Sequence, residues 1–165
     1  MKRIIIHWTG GANKPNQHEK ECYHFLIDAK GETHEGIFKP EDNENCYDGK
    51  YAQHTGGGNT GSIGVSLCGM LNYHSRSDIG PYPITAVQFE AACKFVAGLC
   101  KKYKINITPD TVMTHYEFGI KHPKTSSYGK PDITFLPPYP WVTKSDVGSF
   151  IRSKIRWYYL KGSLS

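Results

Sequence analysis

Three consecutive β-branched residues, Ile4-Ile5-Ile6, stand near the start of the chain and stop at His7. Such a run is stiff and favours extended backbone. Successive strand residues point to opposite faces of a sheet, so an unbroken apolar run requires cover on both. Residues 2–7 therefore read as a central strand, and Gly10-Gly11 just beyond it opens a loop. The run is too short for a membrane span or a signal-peptide core, so the chain is expected to begin in the cytosol. His7 is delivered to the carboxyl end of the strand, where α/β sheets tend to carry their sites.

The rest of the chain supplies partners for that strand. Residues 22–28, with Tyr23, Phe25, Leu26 and Ile27, return through residues 33–38 as an antiparallel hairpin. Residues 39–60 are rich in Asn, Asp and Gly and read as a long surface loop. Ser62 to Leu67 has strand character. At Thr85 the period changes: Thr85 and Gln88 form a capping box, and Ala92, Phe95, Val96, Leu99 and Tyr103 recur on one helical face to Lys104. Residues 111–115 form a short strand ending in His115. Residues 117–140, with five prolines, read as loop. A last helix is expected from the cap Thr143 to about Leu160, with Val147, Phe150, Ile151, Ile155 and Tyr158 inward. At 165 residues the chain suffices for one α/β domain and not for two.

Apolar residues at 38% and charged residues at 21% exclude disorder and coiled coil. The net charge of +5 suits an anionic partner, but the basic residues are scattered, and nucleic-acid binding would rest on charge alone. The cysteines, Cys22, Cys46, Cys68, Cys93 and Cys100, are odd in number and form no C-x-x-C pair, so reduced and mostly buried thiols are expected.

Eight histidines raise the question of which converge. His7 and His115 both end strands, and Asp132 follows in a later loop. Two imidazoles and a carboxylate at one sheet edge match a catalytic zinc set of three protein ligands plus water. His24 is expected to pack or hydrogen-bond in its strand, and His18, His34, His74 and His122 to lie in loops.

Taken in order, Ile4-Ile5-Ile6-His7-Trp8-Thr9, Tyr23-His24-Phe25-Leu26-Ile27, His54-Thr55 with Asn59 before Ser62–Leu67, Thr114-His115-Tyr116-Glu117 and Lys130-Pro131-Asp132 resemble the zinc N-acetylmuramoyl-L-alanine amidases. That family includes phage lysozyme-type amidases, a cytosolic wall-recycling amidase and the peptidoglycan recognition proteins. The resemblance spans residues 2–132. It implies a mixed central sheet flanked by helices, a zinc cleft at one sheet edge, and one Zn²⁺ on His7, His115 and Asp132. Such an ion lowers the pKa of its water towards about 7 and polarises a carbonyl, here that of the amide between N-acetylmuramic acid and L-alanine of peptidoglycan.

By the same resemblance, Tyr23 faces the metal water and Lys130 stabilises the developing oxyanion. His54, Trp8 and Asn59 take substrate-contacting positions, and Gly56-Gly57-Gly58 lets backbone approach the ligand. Ser66 stands where some members carry a Glu general base, which leaves the proton acceptor open; Glu117 is an alternative base or a partner that orients His115. The segment between His7 and Tyr23 is short and polar, so the helix that relatives place there is reduced or absent. Ile133-Thr134 replaces a Pro-Gly after the ligand Asp.

Other readings stay open: a muropeptide-recognition module of the same fold, a recycling amidase, and a hydrolase using Cys22. A zinc deaminase lacks its Pro-Cys-x-x-Cys here. The expected protein is a monomer without a membrane span, held in a host cytoplasm and acting on peptidoglycan after release, as a phage endolysin does.

Overall fold

A computed structural model describes residues 1–163. Five strands form one mixed sheet: β1 (Arg3–Trp8), β2 (Phe25–Ile27), β3 (Thr33–Glu35), β4 (Ser62–Leu67) and β5 (Val112–Thr114), in the order β3-β2-β4-β1-β5. β1 lies between β4 and β5 and runs parallel to both, β2 runs parallel to β4, and only the β2–β3 hairpin is antiparallel. The apolar first strand is thus central, as its composition requires.

Alternation along the strands gives the sheet two unlike faces. Ile4, Ile6 and Trp8 of β1, Ile63, Val65 and Leu67 of β4, and Val112 of β5 share one core with the two long helices. These are α2 (Ala86–Tyr103), whose Thr85–Gln88 capping box is formed, and α4 (Val147–Ser163). Ala92, Val96 and Leu99 of α2 and Val147, Ile151 and Ile155 of α4 are buried there, with Phe95, Phe150, Tyr103 and Tyr158 packed at its margin. The opposite face carries Ile5 and His7 of β1 with Ser62, Gly64 and Ser66 beside them in register. Its apolar cluster is only Ile5, Met113 and Phe118.

Several expectations change. Residues 117–140 are not all loop: α3 (His115–Lys121) follows β5 directly, capped by Thr114 with Glu117 answering at its third position. Its brevity and Gly119 hide the helical period. Residues 39–60 are not a mere surface loop, for they contain a 3₁₀ turn (Pro40–Glu44) and bury Asn43, Ala52, His54 and Thr55. Asn43 holds this segment by donating to the Ala52 and Asn59 carbonyls and accepting from Ala52 N–H. The final helix begins later than Thr143, which instead precedes a 3₁₀ turn (Lys144–Asp146). Between His7 and Tyr23 a helix survives as the six-residue α1 (Gln17–Cys22), so Cys22 lies in a helix and not in the hairpin, and His18 lies there too. His34 sits in β3 and bonds Asp28 at the hairpin turn. Among the described residues, no helix is long and apolar enough to cross a membrane.

All five cysteines are free, three of them buried. Burial, with Glu21 and Glu19 nearby, pushes the Cys22 thiol up, the wrong direction for a nucleophile. This removes the physical basis for a Cys22 hydrolase.

Candidate metal centre

Period-two alternation turns Ile6 into the helical core and His7 onto the open face. His115 is the first residue of α3, placed by the Thr114 cap. Asp132 is tied to the same helix end through its carbonyl, which accepts the Tyr116 N–H at 2.6 Å. The three side chains are buried. His7 Nδ1 lies 3.0 Å from Asp132 Oδ2 and 3.2 Å from His115 Nδ1, and His115 Nδ1 lies 3.3 Å from Asp132 Oδ2. With metal–ligand bonds of about 2.0–2.1 Å, tetrahedral ligands stand roughly 3.3 Å apart, so these donors form a triangle of nearly the right size.

The hydrogen bonds around the triangle fix which nitrogens face inward. Ser127 Oγ donates to the Gly56 carbonyl at 2.7 Å, so it accepts from His115 Nε2–H at 2.9 Å. His115 Nδ1 therefore turns a lone pair inward. His54 Nε2 faces the Ser62 carbonyl at 3.2 Å and must donate to it, which makes His54 Nδ1 an acceptor. That nitrogen accepts the Thr55 hydroxyl at 2.7 Å, and Thr55 Oγ1 in turn accepts His7 Nε2–H at 3.3 Å, so His7 Nδ1 also turns a lone pair inward. Burial lowers His7 to about 4 despite the raising effect of Asp132. Burial pushes the Asp132 carboxyl up, and the two imidazoles beside it outweigh this and hold it below its ordinary value. A neutral His7 and an ionised Asp132 are the protonation states a metal requires, and electron pairs turned inward repel unless a cation sits among them. The residues present fit such an ion.

His115 and Asp132 line an open cleft of about 450 Å³, with His7 fully buried behind them. Tyr23, Lys130, His54, Trp8 and Asn59 all border it, with His115 and Asp132. The Tyr23 ring lies tilted against His7, 5.1 Å between centroids, and its hydroxyl is pushed well up by burial and by Asp132. Lys130 is exposed at the rim. Trp8 packs into the helical core against Tyr73. Asn59 Oδ1 accepts the Thr55 N–H, which orders the loop carrying His54. Both nitrogens of His54 are engaged within the protein, so its visible contact is with His7. Ser66 Oγ lies on the same face, buried and with no hydrogen-bond partner within bonding geometry among the described residues.

Glu117 does not reach His115. Its carboxylate makes a two-pronged pair with Arg152 of α4 at 2.9 and 3.0 Å, and a Cβ on Gly148 would collide with it. The glycine run serves packing: side chains at Gly56, Gly57 and Gly58 would strike Ser126, Thr125 and Phe118 respectively. His24 bridges strands, accepting from Gly64 N–H and donating to Asn43 Oδ1. Ser127 was not legible in advance, being one small polar residue in Thr125-Ser126-Ser127. The α3 cap, by contrast, is written as Thr114-x-x-Glu117.

With the geometry in hand, the model of the N-acetylmuramoyl-L-alanine amidase family (Amidase_2) matches residues 1–130. The chain belongs to that family. Among solved structures, this amidase-family chain resembles the E90A mutant of PlyL, at 24% identity over 94% of this chain and 84% of that one, with a TM-score of 0.53. PlyL itself gives 22% identity, 93% and 82% coverage, and 0.51. The N-acetylmuramoyl-L-alanine amidase LysC from Clostridium intestinale URNW gives 16%, 79% and 78%, and 0.49. The PlyL likenesses are of fold. No curated protein matches the sequence.

Proposed function

We propose that this amidase-family chain hydrolyses the amide between N-acetylmuramic acid and L-alanine in peptidoglycan, with one zinc ion held by His7, His115 and Asp132. The observation that carries the reading is the triangle of inward lone pairs beside an open cleft. Bound there, zinc would polarise the scissile carbonyl and lower the pKa of a water, leaving a fourth position open.

The chain's own groups divide the remaining work. Tyr23, its hydroxyl held protonated by burial, donates a hydrogen bond over the site and is no base at neutral pH. Lys130 brings a mobile ammonium to the rim, where negative charge develops on the carbonyl oxygen. Ser66 supplies no carboxylate, so proton acceptance falls to water-borne groups or to the substrate side. Trp8 and Asn59 shape the wall that the substrate meets, and His54 holds His7.

A recognition module of the same fold is the second reading, and the complete His-His-Asp set weighs against it. We also propose the endolysin role, supported by the net charge of +5 towards an anionic wall and by the Tyr23–Lys130 pairing. The test is zinc content together with stem-peptide release from purified sacculi, for wild type and His115→Ala. About one zinc per chain, with cleavage lost in the variant, is the expected result. Binding of muropeptide without cleavage by the zinc-loaded wild type would make the chain a recognition module. Preference for soluble anhydro-muropeptides over sacculi would replace the lysin role by recycling.

A further inference from the structure

A second cleft, of about 310 Å³, adjoins the metal cleft and shares Lys130 and Pro131 with it. Its remaining wall brings Arg76 and Lys144 together with the rings of Tyr73 and Tyr116, and no carboxylate lines it. Arg76, Lys130 and Lys144 have no ion-pair partner among the described residues.

Arg76 is nevertheless held firmly. Its guanidinium donates to the Pro140 and Val142 carbonyls at 3.0 and 2.8 Å and lies 4.6 Å over the Phe135 ring. All three partners are uncharged, so the positive charge is positioned without being cancelled. Lys144 Nζ rests 5.0 Å over Tyr116, again on a neutral group. Thr134 lines the same cleft and is 7% exposed. Positioned cations that line one cleft without counter-ions are the features of an anion seat.

The two arms of the substrate differ in charge. On the carbonyl side of the scissile amide stands a neutral N-acetylated sugar; on the amine side stands a peptide bearing carboxylates. We propose that the Arg76–Lys144 cleft seats the peptide arm and selects substrates with a free carboxylate shortly beyond the scissile bond. The far end of the metal cleft, bordered by the neutral Gln53 and Asn59, is left to the sugar. This inference rests on the amidase reading.

The experiment compares N-acetylmuramoyl-L-alanyl-D-glutamate, both its carboxylates free, with the same compound as the α,γ-diamide. Zinc-loaded wild type should favour the free acid by about tenfold in kcat/KM, the effect of one charge-assisted hydrogen bond. Lys144→Gln should bring the ratio close to one, and Lys144→Arg should restore it. Equal use of both compounds by wild type, or an unchanged ratio in Lys144→Gln, overturns the seat and leaves the amidase reading intact. Cleavage of neither compound, nor of sacculi, overturns the amidase reading instead. Calorimetric binding of the two compounds reads the cleft independently of turnover: tighter binding of the free acid, lost in Lys144→Gln, supports the seat, and equal binding removes it.

Discussion

The two faces of the sheet are built from the same strands and organised oppositely. On one, Ile4, Ile6, Ile63 and Val65 meet α2 and α4 in a continuous apolar core. On the other, one residue along each strand, Ile5 and His7 meet buried His24, His54, Asn43 and Thr55, which are satisfied by hydrogen bonds rather than by hydrocarbon. The core stabilises by removing apolar area from water, whereas a buried polar network at best offsets its own desolvation. The helical face thus holds the chain together while the open face keeps unshared electron pairs available.

Substitutions should separate the two. The largest effect on chemistry is expected from His115→Ala, which should take peptidoglycan cleavage to background while the melting temperature of the metal-free protein falls little. A large loss of metal-free stability would break the comparison. Next, Phe89→Ala on α2, whose ring packs against Tyr139 and Phe150, should cost about 3–5 kcal/mol in denaturant unfolding. Its kcat/KM below the melting transition should stay within about twofold of wild type.

Glu117→Gln tests the seam between the faces, because the Glu117–Arg152 pair fastens α4 to the helix that carries His115. Breaking a largely buried pair should cost about 2–3 kcal/mol and also reduce turnover, since α3 loses its charged tie to α4. A purely thermal effect would show that His115 is placed without α3's anchorage.

The smallest expected effect is on pH dependence. Burial lowers His24 to about 4, below the ordinary 6.5, so between those values the unfolded chain binds a proton that the fold refuses. Metal-free stability should be complete above about pH 6.5 and fall as pH drops towards 4, by on the order of 2 kcal/mol from this group. Denaturant midpoints measured across that range with a chelator present would check it; a flat profile would show that the open face admits charge freely.

Most of the helical face is legible in the sequence, because β-branched runs, the Thr85–Gln88 box and the spacing Ala92, Val96, Leu99 are signals of burial in apolar surroundings. The open face is less so. Asn43, His54 and Thr55 are polar letters inside a Gly- and Asn-rich stretch, and only three-dimensional hydrogen bonding buries them. His7 and His115 stand at recognisable strand ends, and the ordered motifs bring in Asp132. Ser127, which sets the inward nitrogen of His115, meets its Gly56 partner from a distant part of the chain and has no local signature.

The fixed orientation of the imidazoles has a thermochemical consequence. Because His7 already presents an unprotonated nitrogen and Asp132 is already ionised, an arriving divalent ion has no proton to displace from either of these ligands near neutral pH. The variation of the heat of zinc uptake among buffers of different ionisation enthalpy, corrected for zinc–buffer complexes, should then report chiefly the fraction of a proton given up by the metal-bound water near neutral pH.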